Sequence, residues 1–207
     1  MLDSVNTKEI KLVLSSESYV KLNKIIKEEN QDTILASLSP NLIKKYLEIS
    51  TKSENFFFYI CEHKSEIVGY ALLVKKPSFL ISEFKIIKYL ILINLLMRFK
   101  FKTIMNIFLS MYKIDLLLTS KANKDIISKN LNLNLLAINK NFQSKGIGKA
   151  FVLDILNDIK KKHNFQTIIV ETYDKRTASF YQNKLNFYYL GKKLRLFKNL
   201  YIYRKEF

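Results

Sequence analysis

Residues 135–156 read LLAINKNFQSKGIGKAFVLDIL, and this stretch decides how the chain folds. Its first residues belong to an apolar run over 133–138 that predicts a strand, and 139–145 is a polar loop. From Ile147 to Lys162 the spacing turns helical. Ile147, Phe151, Ile155 and Ile159 form one stripe, with Asp154, Asn157, Asp158 and Lys161 away from it. Lys160, Lys161, Lys162 and His163 close the helix, where positive charge complements its dipole. The chain has four glycines, and two of them, Gly146 and Gly148, fall at this strand-to-helix junction. Glycine costs backbone entropy, so a glycine-poor chain is expected to keep it where no Cβ fits.

Backbone N–H groups at a helix N-terminus point outward without partners and carry partial positive charge. A pyrophosphate can accept hydrogen bonds from them if the backbone approaches closely, which glycine permits. Lys145 and Lys149 would add positive charge beside it. A plain helix start explains the glycines as well, and spacing alone leaves both readings open. The phosphate loop GxxxxGK[ST] is absent, and GxGxxG fails because Ile147 to Phe151 supplies no third glycine.

Working outward, 167–172 is the next strand, and a strand, helix and strand so closely joined predict a right-handed parallel unit. A helix over 176–184 follows, then an antiparallel pair, 187–190 with 196–204. Toward the N-terminus, Ile10, Leu12 and Leu14 predict a first strand and 16–30 a helix. A shorter helix starts at Pro40 with Ser39 as its cap. Residues 55–61 (NFFFYIC) and 67–74 (IVGYALLV) predict a largely buried hairpin around a polar turn at 62–66, ended by Pro77.

Residues 75–130 differ in character. Residues 86–97 are apolar on nearly every side. Arg98, Lys102, Asn106, Ser110 and Lys113 then form a polar stripe opposite Phe101, Met105, Phe108 and Leu109, predicting one or two helices before a polar connector over 119–130. The reading is one domain, 1–207, interrupted by a basic and apolar helical insertion at 75–130.

Composition narrows the function classes. Apolar residues make up 48% of 207 residues, too many for a disordered chain. One cysteine, Cys61, and two histidines, His63 and His163, leave no disulfide framework and argue against a metal centre. No signal peptide is expected, and no apolar run reaches the ~20 residues that span a bilayer. These features point to the cytoplasm. Net charge is +17, which attracts phosphorylated cofactors, nucleic acid or anionic lipid. Against nucleic acid, the aromatics cluster in apolar strands rather than alternating with basic residues.

The segment Leu136-Ala137-Ile138 followed by Phe142-Gln143-Ser144-Lys145-Gly146-Ile147-Gly148 resembles the acetyl-CoA motif (Q/R)-x-x-G-x-(G/A) of the GNAT superfamily of N-acetyltransferases. The later segment Asp174-Lys175-Arg176-Thr177-Ala178-Ser179-Phe180-Tyr181 resembles its pattern N-x-x-A-x-x-F-Y, with Asp for the usual Asn and Thr for the usual Ala. Leu185-Asn186-Phe187 resembles the usual L-G-F, and Asn tolerates a left-handed backbone better than most residues. The resemblance is strongest over 131–191. It implies a mixed α/β fold: a mostly antiparallel sheet with one splayed parallel strand pair, and helices on both faces. It also implies acetyl-CoA, or another acyl-CoA, as co-substrate, with no metal. Gln143, Ser144, Lys145, Gly146, Ile147, Gly148, Lys149 and Ala150 would hold the pyrophosphate, and Leu136, Ala137 and Ile138 the pantetheine arm. Asp174 and Tyr181 would lie along that arm.

The resemblance further implies transfer of an acetyl group to a primary amine by direct attack on the thioester. Tyr181 is the implied acid for the departing thiolate. It also shares a face with Ala178 and Leu185, which a role in the core explains as well. Glu171 is the first candidate for the base, and a surface carboxylate is the competing reading; Glu83 and His63 come after it. The acceptor is expected to be a small-molecule amine, with amino sugars or their nucleotides in view. Protein N-acetyltransfer and a non-catalytic acyl-CoA-binding protein are the rival readings. The segment 75–130 has three: a wall of the acceptor pocket, a homodimer interface, or a peripheral contact with an anionic membrane at its inner face.

Overall fold

The structure is a computed structural model, which describes residues 5–11, 14–31, 33–76, 78–97, 104, 130–163, 165–195 and 198–207. Its strands are β1 (Val5–Glu9), β2 (Phe56–His63), β3 (Glu66–Val74), β4 (Leu131–Ile138), β5 (Thr167–Thr172), β6 (Tyr188–Arg195) and β7 (Lys198–Glu206). They form one sheet in the order β1-β2-β3-β4-β5-β7-β6, antiparallel at every step except β4 with β5. The described helices are α1 (Ser16–Glu29), α2 (Ile34–Ser37), α3 (Pro40–Lys52), α4 (Ser78–Glu83), α5 (Lys88–Met97), α6 (Ile147–Lys162) and α7 (Lys175–Ser179). This is the mixed fold that the resemblance implies.

Alternation along the strands builds two cores. Phe57, Tyr59 and Cys61 of β2, with Ala71 and Leu73 of β3, face α6 and its stripe of Ile147, Phe151, Ile155 and Ile159. Phe56, Phe58 and Ile60, with Tyr70, Leu72 and Val74, face the other way, onto α1 and α3. Both strands of this hairpin are therefore covered on both faces, and their apolar runs are continuous rather than alternating. The turn is tighter than 62–66. Only Lys64 and Ser65 stand between the strands, at φ 50° and 63°, as a two-residue hairpin turn requires.

The first strand lies earlier than Ile10, Leu12 and Leu14 suggest. β1 is an edge strand whose inner positions are Val5, Thr7 and Glu9. Thr7 Oγ1 donates to Asp154 Oδ2 of α6 (2.9 Å), and Glu9 pairs with Lys162 (3.5 Å), so polar contacts seat this strand. Ile10 prolongs the ladder, its N–H reaching Phe58 O (2.7 Å), and packs on the α1–α3 core, while Leu14 is buried ahead of α1. Leu12, Pro77 and Leu196, the polar stripe at 98–113, and the connector up to 129 lie outside the described residues.

Val74 and Asn132 are register partners in adjacent strands, so residues 75–130 connect two neighbours in the sheet. The described part of this connection packs on the α1–α3 side. Phe84 stacks on Tyr46 (ring centroids 4.2 Å) and on Phe56 (5.5 Å), and Leu95 is wholly buried. Pro40 opens α3 as expected, but the Ser39 hydroxyl does not cap it. The Ser39 N–H instead donates to Asn94 Oδ1 of α5 (3.1 Å).

Candidate active site

The site starts from a fault in β4. Leu72 pairs with Leu135 and Leu73 with Leu133, so Asn134 is an extra residue, a β-bulge. Its effect is a change of parity. Before it Leu131 and Leu133 face α6; after it Leu136 and Ile138 do, while Leu135 and Ala137 turn to the α1–α3 face. The parallel pairing stops at the same place. Leu131, Asn132 and Leu133 pair with Ile168, Ile169 and Val170, and no later residue of β4 pairs with β5. β4 runs on to Ile138 against β3, and β5 runs on through Glu171 and Thr172 against β7. The two strands part beyond Leu133 and Val170.

The loop after β4 is braced from several sides. Asn139 N–H donates to Val68 O (2.8 Å), and Asn139 Oδ1 accepts from Asn141 N–H (3.0 Å), supporting a 3-10 turn at Lys140–Phe142. Gln143 Nε2 donates to Ile138 O (2.7 Å) and to Glu29 Oε2 (3.0 Å). The other carboxylate oxygen of Glu29 accepts the Lys140 N–H (2.8 Å). The last residue of α1 thus clamps the loop. Sequence reading misses Glu29, which lies 114 positions from Gln143 and in no motif.

Ser144 and Gly146 both take positive φ, 61° and 81°, turning the chain sharply into α6. Gly146 is the N-cap and has no side chain to supply. The first intrahelical bond runs from Ala150 N–H to Gly146 O (3.0 Å). The N–H groups of Ile147, Gly148 and Lys149 come ahead of it, the orphan donors of a helix start. Ser144, Lys145, Gly146 and Lys149 are exposed, while Ile147 is buried and anchors the turn. Lys145 Nζ lies over the Phe142 ring (5.6 Å).

The two glycines differ. Gly146 is required by its backbone angle. At Gly148 a Cβ would lie 3.6 Å from Ile138 Cγ1 and 3.9 Å from Phe180 Cζ, in ordinary contact. Packing therefore does not demand glycine at 148, contrary to the expectation that no Cβ fits there. The same distances show the first turn of α6, the end of β4 and Phe180 meeting at one point. Arg176 Nη2 donates to Ser144 Oγ (3.3 Å), drawing α7 to the same loop.

Asp174 is the N-cap of α7. Its Oδ2 accepts the Thr177 N–H and hydroxyl, both at 2.7 Å, and these bonds hold the carboxyl below its ordinary range. Thr177, where the pattern has Ala, thereby acquires a purpose. The predicted helix over 176–184 is α only to Ser179; Phe180–Lys184 is a π-turn, a local distortion frequent at functional sites. Tyr181 sits in that turn, buried in the cluster that holds Ile138 and Ile147, with its ring against Phe180 (5.4 Å) and Phe187 (5.3 Å). Burial pushes its phenol well above the ordinary range. Asn186 takes φ 55°, the left-handed turn its type tolerates.

Glu171 lies just past the last β4–β5 pair, on the face of Ile169, opposite the face of Val170 and Tyr181. His63 lies by the loop, its ring 5.8 Å from Phe142 and its Nδ1 buried without a hydrogen bond among the described residues. Glu83 accepts from Asn55 Nδ2 (2.6 Å) beside Phe56 and Val74, at the sheet end away from Ile138. The structure gathers Ile138, Gln143–Gly148, Arg176 and Phe180, and leaves Glu83 apart.

No protein-family model matches the chain, and no curated protein sequence does. Solved structures do. A protein from Desulfovibrio desulfuricans, described as an acetyltransferase of the GNAT family, aligns over 98% of this chain and 99% of its own, at 15% identity and TM-score 0.57. The polyamine N-acetyltransferase of Drosophila melanogaster, which forms N-acetylagmatine, aligns over 99% and 100%, at 9% identity and TM-score 0.61. The ribosomal-protein-S18-alanine N-acetyltransferase of Escherichia coli aligns over 98% and 94%, at 9% identity and TM-score 0.55. At such identities the likeness speaks for architecture. The chain has the GNAT fold.

Proposed function

We propose that this chain is an acyl-CoA-dependent N-acyltransferase that acetylates the primary amine of a small molecule. One observation carries the reading. β4 and β5 part beyond Leu133 and Val170, beside a helix start whose capping residue is a glycine. That arrangement offers a slot for an extended arm and bare amides for a diphosphate.

On this reading the N–H groups of Ile147, Gly148 and Lys149 hold the diphosphate, with Ser144, Lys145 and Lys149 around it. Leu136, Ala137 and Ile138 line the arm. Gln143 contributes main chain only, because its side-chain amide is committed to Ile138 O and Glu29. Ala150 closes the first helical turn. The bound thioester supplies an activated acyl carbon, which bonds to nitrogen as the carbon–sulfur bond breaks.

Tyr181 remains protonated, since burial raises its pKa, and it donates a hydrogen bond to negative charge developing on sulfur. A phenol above its usual ~10 is a weaker acid than a thiol near ~8.5, so full transfer of its proton is uphill. Glu171, on the face opposite Tyr181 but just past the last β4–β5 pair, accepts the amine proton through water.

The polyamine and ribosomal-protein enzymes among the structural neighbours act on cationic or protein amines. A net charge of +17 repels a polycation and draws an anionic acceptor. An amine on an anionic carrier, such as a nucleotide-linked amino sugar, fits that field better than a polyamine. The test is thiol release from acetyl-CoA across amino-sugar nucleotides, polyamines and peptides. Release with the first class supports the reading, release only with peptides moves the protein to the protein-acetylating class, and none with any amine removes the enzymatic assignment.

A further inference from the structure

α5 carries an apolar face that the described residues leave exposed. Leu95 is wholly covered, Ile91 and Leu92 pack on the core beside α3, and Asn94 is tied to the Ser39 N–H, so the helix is fixed to the domain. Tyr89, Leu90, Ile93, Leu96 and Met97 are 44 to 76% exposed. At 3.6 residues per turn these five positions fall within an arc of about 120°, opposite Leu95. Scattered exposed leucines are ordinary; five large apolar side chains on one helical face are not.

The sequence flanking this helix carries charge of one sign. Between Glu83 and Asp115 the sequence has six basic residues and no acidic one. An apolar helix face whose flanking sequence is basic, in a chain of net charge +17, fits an anionic lipid surface, where side chains enter the acyl boundary and lysines and arginines meet headgroups. A second copy fits less well, because pairing through this face would bring together two chains of net charge +17. A ten-residue helix is about 15 Å long, half the hydrocarbon thickness, so it lies along the surface. Among the described residues no helix is long and apolar enough to cross a membrane.

We infer that the protein docks on an anionic bilayer through the Tyr89–Leu90–Ile93–Leu96–Met97 face of α5. Docking is independent of the acyltransferase reading, because α5 shares no residue with the α6 loop.

The test is co-sedimentation of the intact chain with vesicles of equimolar phosphatidylglycerol and phosphatidylcholine, and with pure phosphatidylcholine. Binding to the anionic vesicles alone is expected, weakening as salt rises from about 0.1 to 1 M. Exchange of three exposed side chains, Leu90→Ser, Ile93→Ser and Leu96→Ser, should lower binding by about tenfold or more. The helical circular dichroism and the acetyl-CoA-induced Tm shift should stay as in the intact chain. No binding to anionic vesicles overturns the inference. So does undiminished binding by the triple variant, or a dimer that the variant dissolves without any vesicle binding.

Discussion

Glu29 and Gln143, 114 residues apart in sequence, are joined by a 3.0 Å hydrogen bond from Nε2 to Oε2, and the same carboxylate takes the Lys140 N–H at 2.8 Å. The end of α1 therefore fixes the loop that leads into α6. A carboxylate beside a proposed anion site is explained by these two donors, through which it orders the loop.

Glu29→Ala removes both acceptor contacts. Hydrogen bonds to a charged group are worth about 1.5–3 kcal/mol, so affinity for acetyl-CoA should fall on the order of tenfold or more. As a positioning effect it should appear in KM for the donor, with kcat at saturation largely kept. Glu29→Gln, which keeps one acceptor oxygen, should recover part of the loss. Donor titration of kcat and KM for both variants decides it; a fall in kcat alone would oppose the positioning role.

Gly146 and Gly148 should separate in their effects. Gly146→Ala forces a side chain to φ 81° and should cost about 1–2 kcal/mol of stability. Gly148→Ala meets only ordinary contacts and gains helix propensity, so stability should hold or rise by up to about 1 kcal/mol. Its methyl should still weaken acetyl-CoA binding if the backbone must approach the diphosphate. Urea unfolding and calorimetric titration check the two halves of this claim.

Tyr181→Phe should lower kcat by about a hundredfold, while Kd for acetyl-CoA and Tm change little. Among the described residues no group hydrogen-bonds the phenol, so its removal orphans nothing there. Unchanged kcat would remove the tyrosine from the chemistry.

Much of this is legible in the sequence, for physical reasons. β5 is found at Thr167–Thr172 and α6 at Ile147–Lys162, as their apolar periods predict, because both bury a regular face. β1 is hidden, since its inner positions Thr7 and Glu9 are held by Asp154 and Lys162 rather than by apolar packing. Glu29 is hidden because a carboxylate at the end of a helix gives no local sign of a partner so distant in the chain. The π-turn at Phe180–Lys184 is invisible to a 3.6-residue pattern that continues through it. The Asn134 bulge is equally concealed within an apolar run over 133–138.

Asp174→Ala should cost about 1 kcal/mol through loss of the cap on α7, and Asp174→Asn less, since an amide oxygen still accepts from Thr177. The bonds from Thr177 depress the folded pKa below the unfolded 3.8. The cap's contribution is therefore present above pH 3.8 and is lost as pH falls through the folded value. Urea unfolding across the acid range should show the intact chain losing stability there, and Asp174→Asn losing less.

The most direct test is to follow the backbone amide resonances of Ile147, Gly148 and Lys149 while acetyl-CoA is added to isotope-labelled protein. Gripping of the diphosphate by main chain predicts that these three shift downfield and saturate together with the thermal stabilisation. Stabilisation with these amides unmoved, or no response to the donor at all, would contradict the account.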